Sequence, residues 1–333
     1  MNIKETLFKL SNAVSIGNIT DASNFAYGEL SKYVKTIQNG ITVVGKIESN
    51  SDYTLMLEAH IDEVGFVVTD VDDKGFLTVK NCGGIDLRAL PSRVVTIHGK
   101  EKVIGVFCAT PPHLGGPKEY DDISALKIDT LLGEKAKEAI SVGDFVTFNT
   151  KAASLQNGRI TGKSLDNRAG VVCLLNLAER LCDKALPFNV VFALTDAEEL
   201  GCRGAQTATF DISPDEAIVL DVSFADAPDV PGNECGTLGG GAMIGMSPVL
   251  DKGISKKLVS VAKDNNLSYQ TEVMGGKTGT NGDVVSISKS GVKTGLVSIP
   301  LRNMHSDVEI IDVKDIENVC DLLEKYILGG NAQ

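Results

Sequence analysis

Four apolar stretches of this chain each run into a histidine or a carboxylate, and that pattern constrains the fold more than any other feature. YTLMLEAHID reaches His60 and Asp62, FNVVFALTDAEEL reaches Asp196, Glu198 and Glu199, EAIVLDVS ends at Asp221, and TGLVSIPLRNMHS is a strand ending just before His305. Short continuous apolar runs rich in Val, Ile and Leu read as buried strands. In open α/β sheets ligands bind beyond the carboxyl ends of the strands, so residues far apart in sequence can converge on one edge. Asp166 joins them from SLDNRAGVVCLLNLAERL, which reads as a loop entering an amphipathic helix.

The remaining texture divides the chain. MNIKETLFKLSNAVSIG reads as an amphipathic helix with Leu7, Leu10 and Val14 on one face, and ITVVGKI as a strand. From Val64 the pattern changes to short alternating strands, GFVVTDVDD, GFLTVKN, RVVTIHG and KVIGVFC, separated by Gly, Asp and Pro turn signals. A helix is expected near residues 128–139, and SVGDFVTFN reads as another strand. Further on, ISKKLVSVAKDNN reads as a helix and VVSISKSG as a helix or helix-to-turn segment, while CGTLGGGAMIG reads as a tight, close-packed turn without the strand-glycine-helix context of a phosphate loop. The economical architecture is an α/β catalytic domain of residues 1–64 and 149–333, interrupted by a β-rich, barrel-like insertion at residues 65–148.

Composition excludes several classes. A formal charge of −12 lacks the basic footprint of a nucleic-acid binder. No run approaches the roughly 20 apolar residues of a membrane span, and the N-terminus lacks the apolar core of a signal peptide. Seven cysteines, an odd number without a Cys-x-x-Cys pair, indicate neither a disulfide framework nor a cysteine zinc site. Reduced thiols and a cytoplasmic location are expected.

Each candidate residue alone is ordinary, because an isolated loop Asp is usually solvated or capping and paired glutamates often open a helix. The combination is not. Imidazoles with carboxylates suit zinc, cobalt or manganese, and five ligating residues with one bridging carboxylate suffice for two ions about 3.5–4 Å apart. Glu198 and Glu199 are adjacent and point in different directions, so one can ligate while the other takes a proton from water and returns it to a leaving amine. Asp62 is placed to accept the second ring N–H of His60.

AHIDEVGF, GGIDLRALPSRVV, GVFCATPPHL, GKSLDNRAG, TDAEELGCRGA, IVLDVSFA, KTGTNGD and VSIPLRNMHS resemble, in this order, the motifs of the cytosolic metallo-aminopeptidases that include the glutamyl and tetrahedral aminopeptidases. The resemblance covers about residues 50 to 312 and implies an α/β fold, a phosphorylase/hydrolase-like mixed-sheet catalytic domain with an inserted β-barrel-like dimerisation domain. It implies short peptide substrates and dimers that assemble into tetrahedral dodecamers. It also implies that His60, Asp166 and Asp221 hold one ion, that Asp166, Glu199 and His305 hold the other, and that Glu198 is the base. Zinc or cobalt is the expected metal, with manganese also compatible.

Arg302 and Lys277 are candidate receivers of an acidic substrate side chain, whereas His98 and His113 read as structural. Two departures from the family pattern stand out: Asn167 beside Asp166, which leaves the ligand intact, and Asn281 in TGTN, which removes a negative charge expected near the substrate pocket. A metal-dependent deacylase using the same site and a non-catalytic assembly protein are the alternatives. Glycoside hydrolysis is disfavoured, since it generally uses two carboxylates flanking the sugar bond.

Overall fold

The computed structural model describes residues 1–116, 120–228, 230–232 and 235–329. An eight-stranded mixed sheet runs in the order Tyr269–Val273, Ala242–Met246, Lys293–Leu301, Glu216–Phe224, Thr54–His60, Asn189–Thr195, Thr42–Ile47 and Lys35–Asn39. The strands from Lys293–Leu301 to Asn189–Thr195 are mutually parallel, and they are the four apolar runs that lead to candidate ligands. Nearly every residue in them is buried, as a parallel sheet covered on both faces requires.

Alternation of side chains sorts the two faces. Leu55 and Leu57 join a large core with Leu7, Leu10, Leu174, Leu258 and Leu323 from the surrounding helices. Met56, Ala193, Val219 and Leu296 point the other way, onto Ala205 of the helix Arg203–Ile212 and onto Val285. The ladder between Glu216–Phe224 and Thr54–His60 ends at Val219 opposite Glu58, while pairing with Lys293–Leu301 continues to Phe224. Asp221 therefore lies within its strand rather than at its end, and beyond Val219 a crevice opens beside His60.

Six antiparallel strands, Gly65–Val71, Leu77–Cys82, Val94–His98, Lys102–Cys108, Lys127–Asp129 and Phe145–Phe148, form a closed barrel. Its interior is sealed by Phe66, which packs edge-on against Phe107 at 5.1 Å and Phe148 at 5.6 Å. The helix expected over residues 128–139 is corrected: Lys127–Asp129 closes the barrel between Leu77–Cys82 and Lys102–Cys108, and helical turns occupy only Gly133–Lys135 and Ala136–Ala139. Leu131 at φ 57° and Gly133 at φ 56° take left-handed conformations that a continuous helix cannot contain.

A buried charge cluster ties the sheet to the N-terminal helix Ile3–Asn12. The Glu63 carboxylate accepts from Lys163 Nζ, from Ser164 Oγ at 2.6 Å and from the Ser15 amide at 3.0 Å. Arg168 stands 3.6 Å from Glu63 and donates to the Leu10 carbonyl at 3.1 Å. Burial pushes the Glu63 carboxyl up, but the charges of Lys163 and Arg168 outweigh it and hold the group below its ordinary range. Burial likewise depresses Lys163 and Arg168, each of which has this one anion as its chief offset.

A carboxyl depressed in the folded state stabilises above its unfolded value and loses that contribution as pH falls through the folded one. The Glu63 contribution is thus present above pH 4.5 and lost on further acidification. Glu63→Ala strands two buried cations and is expected to cost about 3–5 kcal/mol in urea unfolding at neutral pH. A loss below about 1 kcal/mol, the scale of an exposed ion pair, would contradict this role.

Candidate metal centre

Thr195 pairs with His60 across the parallel ladder, so the turn carrying Asp196, Glu198 and Glu199 emerges beside the histidine. Asp166 opens the helix Leu165–Leu181 in a non-helical conformation, φ −76° and ψ 109°, which leaves its carboxylate facing the crevice instead of joining the helical turn. His305 follows the strand Lys293–Leu301 in a turn, with φ 59°. Ala197 is at φ 54°. Such left-handed residues cost on the order of 1–3 kcal/mol each and concentrate where side chains must be aimed.

The aim is visible in the distances. His60 Nε2 lies 3.0 Å from Asp166 Oδ1 and 3.7 Å from Asp221 Oδ1. His305 Nε2 lies 3.3 Å from Asp166 Oδ2 and 3.5 Å from Glu199 Oε1. Bonds of about 2.0–2.1 Å at tetrahedral angles would set such ligand atoms roughly 3.3–3.5 Å apart. Among the described residues three groups could hold a cation: His60–Glu198–Glu199, and the triads His60–Asp166–Asp221 and Asp166–Glu199–His305, which share one carboxylate with a different oxygen turned to each histidine. The donor set fits borderline divalent ions.

The expectation that Asp62 accepts the second ring N–H of His60 is corrected. Asp62 Oδ1 is 3.3 Å from His60 Nδ1, near enough for charge pairing but out of line for a hydrogen bond. Its two oxygens accept from the backbone amides of Glu198 at 3.1 Å and Glu199 at 3.2 Å, so it fixes the turn that presents both glutamates.

Electrostatically the cluster is overloaded with anions. Among the described residues, the ion-pair partners of Asp166, Glu199 and Asp221 are His60 and His305. Burial, reinforced by the charge of Asp166, pushes Glu199 up to about 10. Burial also raises Asp221 against the pull of His60. Glu198 is pushed up to about 7 by burial, with His60 opposing and Asp221, Asp166 and Asp62 adding to the rise. Asp166 moves the other way, because its two histidines outweigh its burial. Ligation replaces protons with cations, so ion affinity at such a site depends on pH.

These groups line a cleft of about 240 Å³ completed by Val222, Gly279, Thr280 and Met304. Other residues singled out by sequence lie elsewhere. Arg302 is engaged by Asp226, 3.0 Å from its carboxylate, and exposed Lys277 does not line the cleft. His98 bonds Thr147 at 2.9 Å within the barrel, and His113 is exposed. Asn281 follows Thr280 of the cleft lining but is itself 1% exposed, donating to Glu58 at 2.8 Å beneath the cleft. Asparagine there spares Glu58, pushed up to about 8 by burial, a second carboxylate beside it.

Sequence reasoning missed the barrel loop that abuts the site. A Cβ on Gly83, at φ 87°, would stand 2.8 Å from Val64 and 3.1 Å from Glu199 Oε2, and one on Gly84 would stand 3.2 Å from the His305 ring. It also missed Glu309, whose carboxylate accepts from the backbone of Asp166 and of His305. The Gly-Gly pair was legible as a turn, whereas nothing local in VEIID marks Glu309 as buried.

Known proteins share both sequence and fold with this chain. The model of the M42 glutamyl aminopeptidase family matches residues 40–322. A lysyl aminopeptidase of Pyrococcus furiosus is 31% identical over 284 residues, covering 82% of this chain and 81% of its own length. An aminopeptidase structure from the archaeon Desulfurococcus kamchatkensis superposes with a TM-score of 0.93 at 31% identity, over 99% of this chain and 95% of that one. A Pyrococcus horikoshii peptidase described as able to assemble into a tetrahedron or a large octahedral shell matches at 0.84 with 29% identity, over 98% and 99% of the two chains.

Gly83→Ala adds a methyl group against Glu199 and forces alanine into a left-handed conformation. It is expected to lower unfolding free energy by about 1–3 kcal/mol and to shrink the thermal shift produced by added zinc. Unchanged melting and an unchanged zinc shift would show that the barrel loop does not buttress the centre.

Proposed function

The chain belongs to the M42 glutamyl aminopeptidase family, and from that premise we propose that it removes residues singly from the free N-termini of short peptides by metal-dependent hydrolysis. The observation that carries this reading is the pair of triads sharing Asp166 at the floor of one small acidic cleft. A cleft of about 240 Å³ is smaller than the roughly 300–1,000 Å³ of typical ligand pockets, which suits a chain end over an internal stretch.

In this reading His60, Asp166 and Asp221 hold one divalent ion, and Asp166, Glu199 and His305 hold the other. Zinc or cobalt suits this ligand set best, and manganese is compatible. When bound, the ions supply Lewis acidity toward the scissile carbonyl and lower the pKa of water. Glu198, which lines the same cleft, supplies proton transfer: it takes a proton from the attacking water and delivers it to the departing amine nitrogen. Asp62 keeps the Glu198 carboxylate on station through the backbone of the same turn.

The barrel is proposed as the dimerisation unit. Val94, Ile104 and Val106 are exposed on its paired strands, an apolar patch that a second copy would cover. A tetrahedral dodecamer built from such dimers is the proposed assembly, and the tetrahedron described for the Pyrococcus horikoshii peptidase supports it. All seven cysteines are free thiols, which fits a cytoplasmic location. Among the described residues, no helix is long and apolar enough to cross a membrane.

The decisive assay is hydrolysis of paired free and N-acetylated aminoacyl-amides by chelated protein reloaded with zinc, cobalt or manganese, followed by mass spectrometry of a short peptide. Metal-dependent, stepwise loss of free N-terminal residues is expected. Cleavage confined to blocked substrates would make the protein a deacylase, and none despite bound metal would make it a binding protein. Glu198→Gln should keep its metal and lose about 10²–10⁴ in kcat; near-normal turnover in the loaded variant would remove Glu198 as the base.

A further inference from the structure

Glu309 takes no part in the proton transfers above, yet its carboxylate touches the main chain beneath the shared ligand and the second histidine. It lies in the short strand Glu309–Asp312, opposite Gly162 of the strand Arg159–Gly162. Only 1% of it is exposed. Its Oε1 accepts from the His305 amide at 2.8 Å and its Oε2 from the Asp166 amide at 3.1 Å.

Neither amide has a regular backbone ladder to join. His305 sits in a left-handed turn, and Asp166 is the non-helical start of its helix. A buried N–H without an acceptor is costly, so each needs a partner from outside its own segment. The two amides, far apart in sequence, meet on this one side chain, whose two oxygens are the acceptors they need.

We propose that Glu309 is a positioning residue that sets the spacing between Asp166 and His305, and with it the ion affinity of the Asp166–Glu199–His305 triad. This rests on the reading of the two triads as metal sites. The other triad depends on it less: His60 is held by its strand ladder and Asp221 by its pairing with Ser298, leaving Asp166 as the one member anchored through Glu309. Glutamine at this position keeps the volume but offers one oxygen, so one of the two amides would face an NH₂ donor. Aspartate keeps both oxygens and withdraws them by one methylene.

The test is calorimetric titration of metal-free wild type, Glu309→Gln and Glu309→Asp with zinc, alongside kcat and KM at limiting and saturating metal. Wild type should take up two ions. Glu309→Gln should bind one of them about 10- to 100-fold more weakly and the other within about threefold of wild type, the range typical of lost support around a ligand. Its kcat should recover at saturating zinc, since Glu309 touches no reacting atom. Two ions bound by Glu309→Gln with wild-type affinity would overturn the proposal, and so would equal weakening of both with a lowered melting temperature, which marks support of the fold alone. Should Glu309→Gln fail to fold, Glu309→Asp is read by the same criteria. A wild type that binds no ion pair would instead remove the metal reading itself.

Discussion

The Asp166 carboxylate, with one oxygen turned to each histidine, is the interaction on which the rest of the site depends. It is buried among Glu198, Glu199 and Asp221, where like charges repel through a medium less polar than water. Two imidazoles offset this only in part. The result is divided titration: Asp166 is driven low by the histidines, and Glu199 is driven high by burial and by Asp166 itself. In the proposed reading, cations held through Asp166 would relieve that repulsion and leave Glu198 free for proton transfer.

The fold keeps these groups together by anchoring the chain next to each candidate ligand. The parallel strands bring His60 and the Glu198–Glu199 turn side by side, and the early end of the ladder at Val219 opens the space they face. Glu63, just past His60, grips Lys163, just before Asp166, in a buried ion cluster. From the barrel, the Gly83–Gly84 loop closes over Glu199 and His305. Stability and site geometry are therefore carried by the same contacts, so damage to one is expected to reach the other.

What could be read from sequence follows from how local each signal is. The central strands were legible because continuous apolar runs identify doubly covered strands, and His60, Glu199 and His305 because they follow where those runs stop, whereas Asp221 lies within its strand. The alternating segments after Val64 announced a β-rich unit. Lys127–Asp129 was hidden because three residues carry too little pattern, and the left-handed turns that end the helix signal next to it are set by tertiary closure. Arg302 looked available because its partner Asp226 lies far back in the chain. Asn281 was read as a charge change near the substrate pocket, and only the fold reveals that it rests on Glu58.

The most direct test of the shared-carboxylate account is metal content per chain, measured by elemental analysis after zinc loading and dialysis, for wild type against Asp166→Ala. The account predicts two zinc ions in wild type and loss at both triads in the variant, since each loses a ligand. Two fully retained ions in Asp166→Ala would contradict it and show that the triads do not share Asp166.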